Sequence, residues 1–210
     1  MLLEITFPFL PTKGQEQNSS NGSRNRAMET ASSERIGVEL PPQATVGLNG
    51  RPSNRTVVFR GLEENTDKIQ IHTDYRTHKI EELRHCPYAE ICWYFTDSWE
   101  QFRVNGKIDI LDESNPDLNK LQQREKSWFA SSLKSRLQYL GPSPGLPCLS
   151  ELPDQEFLDH STGPVGAFCL LVLDPDQVDY LNLKSNQRIK FTSGLSVNGE
   201  KCWTSQRINP

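Results

Sequence analysis

The sequence has no basic excess. Its 23 Lys and Arg stand against 27 Asp and Glu, a formal net charge of −4 over 210 residues. Dedicated nucleic-acid binders and proteins held on anionic membranes carry the opposite balance, so both classes are set aside. Long hydrophobic runs are also missing. The longest apolar stretch, Ala167–Leu173, is far short of the ~18 residues of a membrane span and suits a buried strand. Cysteine is sparse and odd in number: Cys86, Cys92, Cys148, Cys169 and Cys202, with no C-x-x-C. That excludes a paired-cysteine zinc site and a disulfide framework, and it favours free thiols in a reducing compartment. The four histidines form no H-x-x-x-H pattern, and no metal site is predicted. No G-x-G-x-x-G follows a strand, which disfavours a doubly wound dinucleotide fold.

Hydrophobic residues make up only 35% of the chain, so part of it lies outside a core. Lys13–Arg35 contains no Val, Ile, Leu, Phe, Tyr or Trp. Such a segment cannot offset a backbone ordering cost of roughly 1–2 kcal/mol per residue. Residues 1–42 are therefore expected to be a disordered tail, and 43–210 one folded domain. The opening apolar run lacks the basic flank and small-residue cleavage site of a secretory signal. Residues 1–45 hold five Glu against four Lys and Arg, whereas transit peptides are poor in acids. A cytoplasmic location is expected, with the plastid as the alternative.

The folded part is rich in strands. Ala44–Leu48 and Arg55–Arg60 flank the turn signal Asn49-Gly50. Lys68–Thr73 alternates, with Ile69 and Ile71 on one face. Thr77–His85 has helical spacing and stops at Pro87. Ala89–Phe95 and Gln101–Leu111 follow, and Gly106 inside the second suggests a bulge or a close backbone approach. Asn115-Pro116-Asp117 reads as a helix start, with Asn as the cap and Pro first. Helical spacing then continues through Leu118, Leu121, Trp128, Phe129, Leu133, Leu137 and Leu140. A Pro/Gly-rich loop spans Gly141–Pro164. The last strands are Ala167–Leu173, Gln177–Leu183, Arg188–Thr192 and Lys201–Ile208. This order predicts a mainly β barrel with accessory helices rather than alternating βα units.

Three segments carry the residue types that a phosphate ligand needs. Arg55-Thr56-Val57-Val58-Phe59-Arg60 is an apolar strand with a cation at each end. His72–Lys79 runs from a strand into a helix start. Glu100-Gln101-Phe102-Arg103 opens a strand. Arg55, Thr77 and Lys79 supply cations and a hydroxyl, and a helix start near Thr77 adds its positive dipole end. Each residue taken singly is more simply a solvated surface charge. Strand alternation also places Arg55 and Arg60 on opposite faces, so spacing alone does not assemble a site.

Together and in this order, the segments resemble the flavin-binding motifs of the pyridoxamine 5′-phosphate oxidase family. R-T-V-V-F-R matches the family's R-x-V-L-L-K, H-T-D-Y-R-T-H-K its Y-T-N-Y-x-S-R-K, and E-Q-F-R its R-Q-V-R. The terminal Trp203…Arg207-Ile208-Asn209-Pro210 is similar to W-x-x-x-R-L-x-P, so the likeness runs from Ala44 to Pro210. It implies a split β-barrel that binds FMN non-covalently at a homodimer interface. Arg55 and Lys79 would hold the FMN phosphate, with Thr77 and His78 nearby. Thr56, Val57, Val58 and Phe59 would lie along the isoalloxazine. His72 and Thr73 would contact the ribityl–phosphate portion or the ring edge, and Gln101 would bond the ring. Arg60 would be shared between flavin and substrate phosphate. The implied reaction is oxidation of pyridoxamine or pyridoxine 5′-phosphate to pyridoxal 5′-phosphate, with O2 as acceptor.

The departures fall on the substrate side. The family's R-P-R-x-S is here Arg124-Glu125-Lys126-Ser127-Trp128, in which Arg124 is kept as a substrate-phosphate ligand and Glu125 has the wrong sign. Asn186-Gln187-Arg188 replaces R-x-H. Two other readings follow: a flavin- or pyridoxal-phosphate-binding carrier or sensor without turnover, and a split-barrel flavin reductase. Trp93, Tyr94 and Phe95 read as packing residues of the core or of a dimer face.

Overall fold

The computed structural model describes residues 40–148 and 158–210. The proposed tail therefore lies, but for its last three residues, outside the described residues, as does part of the Pro/Gly-rich loop. Leu40–Pro210 forms one compact unit. In chain order the strands are β1 (Pro42–Val46), β2 (Pro52–Thr56), β3 (Phe59–Leu62), β4 (Ile69–Asp74), β5 (Tyr88–Phe95), β6 (Glu100–Leu111), β7 (Phe168–Asn182), β8 (Gln187–Leu195) and β9 (Lys201–Ile208). Helix α1 (His78–His85) follows β4. Helices α2 (Leu118–Phe129) and α3 (Leu133–Leu137), with a 3₁₀ turn at Gln138–Leu140, lie between β6 and β7.

The described strands form a single antiparallel sheet in the order β2-β1-β5-β6-β7-β4-β3, with β8 on β7 and β9 on β8. Two features turn that sheet into a split barrel. First, β2 and β3 sit at opposite ends of the order yet are joined by only Val57-Val58, so the sheet must curl until its ends meet. Buried Val57 marks the seam, donating its N–H to Pro41 O at 3.1 Å. Second, β7 forks the sheet. It pairs β6 along both halves, while Phe168–Asp74-facing residues through Leu173 pair β4 and Gln177–Asn182 pair β8. The fork falls at Pro175, which has no N–H for a ladder. Opposite it the β6 register shifts at Asn105/Gly106. A Cβ on Gly106 would stand 2.3 Å from Asp174 O, so the close approach expected there requires glycine.

The core follows the apolar pattern. Ile69 and Ile71 of β4, Ile91 of β5, Val104 and Ile108 of β6 and Leu170–Leu173 of β7 are buried, with Ile80 and Leu83 of α1. The first half of β7 is buried on both faces, as its unbroken apolar run requires. Trp128, Phe168 and Leu158 form a second cluster, with Leu133, Tyr139, Leu140 and Val165 packed against it.

Several expected boundaries move. The strand expected over Arg55–Arg60 breaks at Val57-Val58, because the chain crosses the seam there. The two strands expected at Ala167–Leu173 and Gln177–Leu183 are one bent strand. The cap of α2 is Asp117, whose side chain accepts from Asn119 N at 2.9 Å. Asn115 instead closes the preceding turn, accepting from Asp117 N. The helical spacing from Leu118 to Leu140 is divided at Ala130–Ser132, where Ser132 accepts from Ser135 N and starts α3.

Candidate functional site

The β4–α1 corner is fixed by charge and backbone. Arg76 grips Asp74 with Nε and Nη2, at 2.9 and 2.7 Å, and also donates to Gly141 O. Thr77 Oγ1 donates back to Asp74 O at 2.8 Å. Thr77 is the N-cap residue of α1, so the helix begins with His78 and Lys79, whose first-turn N–H groups have no intrahelical acceptor.

Beneath α1 lies a cluster built from three elements. Arg55 of β2 donates from Nη2 to Glu82 Oε2 at 2.7 Å, and from Nη1 to Thr45 Oγ1 and Ser53 O. Glu82 also accepts from Thr45 Oγ1 at 2.5 Å and Ser53 Oγ at 2.8 Å. Burial alone would raise the Glu82 pKa, but these hydrogen bonds and the Arg55 charge bring it below the usual carboxylate value. Lys79 has no ion-pair partner among the described residues. Burial, and then the Arg55 charge, lower its pKa to about 8, against the opposing pull of Glu82. Arg55, Lys79 and Glu82 thus sum to one positive charge in excess, partly withdrawn from water. Arg55 keeps Nε–H and one Nη2–H without a partner among the described residues. A phosphate monoester at a helix start needs donors and charge of this kind.

On the other side of the seam, a cleft of about 610 Å³ opens between β3, β4 and α2. Phe59, Arg60, Gln70 and His72 form one wall, and Gln122, Gln123, Lys126, Ser127 and Ser131 the other. Phe59 packs edge-on against Trp93, with centroids 5.2 Å apart. Acidic groups occupy some of the donors: Gln123 Nε2 donates to Glu63 at 2.8 Å, and Lys126 pairs with Glu64 at 3.5 Å.

His72 is neutral. Burial, and then the Arg60 charge, lower its pKa to about 3. Its tautomer follows from the hydrogen-bond network. Ser131 Oγ donates to Ser127 O at 3.2 Å, so it receives the contact from His72 Nδ1 at 3.3 Å as an acceptor. Nδ1 then carries the proton, and Nε2 accepts from Ser127 Oγ at 2.6 Å. A base this weak, backed by a neutral serine, does not generate a serine nucleophile. It does commit the Ser127 proton inward, leaving its oxygen as an acceptor on the cleft wall.

The structure brings Arg55, Thr77 and Lys79 together at the α1 start, with exposed His78 beside them, and Phe59, Arg60 and His72 together in the cleft. Thr56 (exposed), Val57 (buried) and Val58 (half-buried) run between the two groups along the seam. Thr73 is buried beside Cys169 across the β4–β7 ladder. Gln101 is not among the residues lining the cleft; on β6 it is paired with Tyr94 of β5 and Leu181 of β7. Arg124 is also absent from the cleft wall. It is 5% exposed, and its guanidinium donates to Phe168 O and Val165 O, so its donors serve the α2–β7 junction. The sequence reading did not single out Thr45, Ser53, Glu82, Ser131 or the cleft-facing glutamines. The helical spacing sets Glu82 with Glu81 and Arg84 on the side of α1 away from Ile80 and Leu83; instead it is buried and bonded to Thr45, Ser53 and Arg55.

A family profile described as "Pyridoxamine 5′-phosphate oxidase, FMN-binding domain" matches residues 25–112. The chain is 66% identical over 168 residues to pyridoxine/pyridoxamine 5′-phosphate oxidase 2 of Arabidopsis thaliana, covering 80% of this chain and 85% of that one. A pyridoxamine 5′-phosphate oxidase-related, FMN-binding protein of Nostoc punctiforme superposes with a TM-score of 0.72 at 33% identity, over 93% of this chain and all of that one. PhzG of Burkholderia lata shares the fold, with a TM-score of 0.61 at 18% identity over 90% of each chain.

Proposed function

The chain belongs to the pyridoxamine 5′-phosphate oxidase family of FMN-binding oxidoreductases, and on that footing we propose that it oxidises pyridoxamine or pyridoxine 5′-phosphate to pyridoxal 5′-phosphate. The observation that carries this reading is half-buried Lys79, with no ion-pair partner among the described residues, beside Arg55 at the start of α1, and the Val57-Val58 seam that runs from β2 to the β3 wall of an open cleft. These residues fit FMN. Arg55, Lys79 and the first-turn N–H groups of α1 would hold its phosphate, and Val57–Phe59 would lie along its ring. Bound there, FMN would supply two-electron redox chemistry, with O2 as the final acceptor and, for the amine vitamer, water to release ammonia.

The protein's part is placement and charge. Arg60 cannot lose its proton, so it stands in the cleft as a permanent cation for the substrate phosphate or for negative charge developing at the ring edge. Lys126 faces it from α2 and would assist once released from Glu64. Neutral His72 fixes Ser127 as a hydrogen-bond acceptor toward a substrate amine or hydroxyl. Gln101 would bond the ring, in a homodimer of the kind the family likeness implies. Sedimentation of the flavin-loaded protein tests this, and a loaded monomer would refute it.

The decisive experiment is a spectrum of the purified protein followed by anaerobic titration with pyridoxamine 5′-phosphate. A yellow protein whose flavin bleaches supports the oxidase. The burial of Arg124, which removes one substrate-phosphate cation from the cleft, favours a second reading as a carrier without turnover. Bound FMN that no B6 vitamer bleaches would select it. No described helix is long and apolar enough to cross a membrane.

A further inference from the structure

We propose that Glu82 is a positioning residue of the anion site: it holds Arg55 in aim and supplies the counter-charge that Lys79 otherwise lacks. The inference rests on the reading of Arg55 and Lys79 as ligands of the FMN phosphate. It goes beyond that reading by adding an acid to a site otherwise defined by cations.

The geometry carries it. Glu82 is buried, although it stands about 160° round α1 from Ile80 and about 100° from Leu83, the apolar anchors of the helix. Its carboxylate gathers Thr45 of β1, Ser53 and Arg55 of β2, and thereby ties the strand hairpin to the helix that bears Lys79. A guanidinium has five N–H groups in one plane. Three of those of Arg55 go to Thr45, Ser53 and Glu82, and these contacts fix the plane. Nε–H and the second Nη2–H remain for a ligand. A pair made only for structure would close on itself. This one stands beside a second cation that the pair does not neutralise.

The groups acting on Lys79 are Arg55 from β2, Glu82 on its own helix and Cys169 from β7. The Cys169 thiol is pushed up to about 12 by burial and stays neutral in the working range. Arg55 cannot titrate. Among the described residues, Glu82 is therefore the only charged partner that favours the ammonium. Removing its charge lowers the pH at which Lys79 loses its proton and ceases to hold a phosphate dianion. Glu82→Gln keeps an acceptor oxygen for Thr45 and Arg55, with its amide N–H free to donate to Ser53 Oγ, but removes the charge. Glu82→Ala removes both.

The test is FMN affinity of the flavin-free protein, read by flavin fluorescence from about pH 6 to about pH 10. The wild-type dissociation constant should rise tenfold per pH unit above about pH 8. Glu82→Gln should move that alkaline limb down by about one pH unit, with affinity at the acid end within about threefold of wild type. Glu82→Ala should shift the limb likewise and also weaken acid-end binding by about tenfold or more. If the Glu82→Gln limb coincides with wild type, Glu82 is no more than a structural clip and the proposal falls. Acid-end binding by folded Glu82→Ala equal to wild type removes the aiming role. If Glu82→Ala does not fold, Glu82→Gln still decides the charge role, and Glu82→Asp, which keeps the charge, should retain the wild-type limb. A wild-type profile with no alkaline limb, together with full affinity in Arg55→Ala, would instead overturn the phosphate reading beneath this proposal.

Discussion

Replacing Gln43 with methionine should stabilise the protein. Gln43 is 0% exposed, and neither Oε1 nor Nε2 of its amide has a hydrogen-bond partner among the described residues. It lies on β1, opposite Arg55 on one side and Ile91 on the other. Thr45, two residues on and on the same face, reaches the Glu82 cluster. A buried polar group left unpaired costs roughly 1–3 kcal/mol. Methionine has the same unbranched reach without the amide and adapts to irregular space. The expected gain is about 1–3 kcal/mol, or a midpoint higher by about 2–10 °C for a domain of this size. Thermal and urea unfolding of the flavin-free protein would measure it, the urea series showing a raised midpoint at unchanged slope. FMN affinity should stay the same, since the amide is assigned no ligand. A lower midpoint would refute the reasoning, because it would mean that the amide is satisfied in solution. A weaker FMN complex at unchanged stability would mean that Gln43 belongs to the anion site.

Other outcomes follow from the same geometry. Arg55→Ala should weaken FMN by about 1.5–3 kcal/mol, the range of a charge-assisted hydrogen bond, in a fluorescence titration near neutral pH. Binding of FMN should draw a proton onto Lys79 when measured at or above pH 8, so the calorimetric enthalpy should depend on the buffer's ionisation heat. His72, with a folded pKa of about 3 against 6.5 unfolded, binds fewer protons in the folded state. Its contribution is fully present above pH 6.5 and is lost as pH falls from 6.5 toward 3, and His72→Asn should flatten stability over that window. Gly106→Ala should cost about 2–4 kcal/mol or prevent folding, because its Cβ would meet the Asp174 carbonyl at 2.3 Å; an unchanged unfolding midpoint would show that the β6–β7 crossing is looser than drawn.

The strand content, the α1 helix and the glycine approach at Gly106 were legible because each has a local signal: alternation, helical spacing with a following Pro, and a glycine inside an apolar strand. The seam was not. Arg55–Arg60 reads as one strand from its residues, and only the pairing of β2 and β3 at opposite ends of the sheet shows why it breaks at Val57-Val58. The continuity of β7 was hidden for a related reason, since Asp174-Pro175-Asp176 reads as a turn but spans a fork. In the site, the residue types for an anion were visible at Arg55, Thr77 and Lys79, while their convergence depended on pairings far apart in sequence. Arg124 could not have been judged from its motif. Whether an arginine faces a cleft or a backbone carbonyl is set by the rotation of α2 on β7, which the heptad-like spacing of Leu118, Leu121 and Trp128 constrains only loosely. Glu82 was misread: its spacing sets it with Glu81 and Arg84 away from Ile80 and Leu83, and only the contacts from β1 and β2, distant in sequence, bury it.

Because two residues join the two ends of the sheet, the segment proposed to lie along the flavin ring is also the clasp of the barrel. On that proposal a change at Val57 or Val58 would register twice, once in how tightly the cylinder shuts and once in how well the coenzyme lies. Efforts to refit this protein to a bulkier flavin would do better to enlarge the α2 wall than to alter that short span.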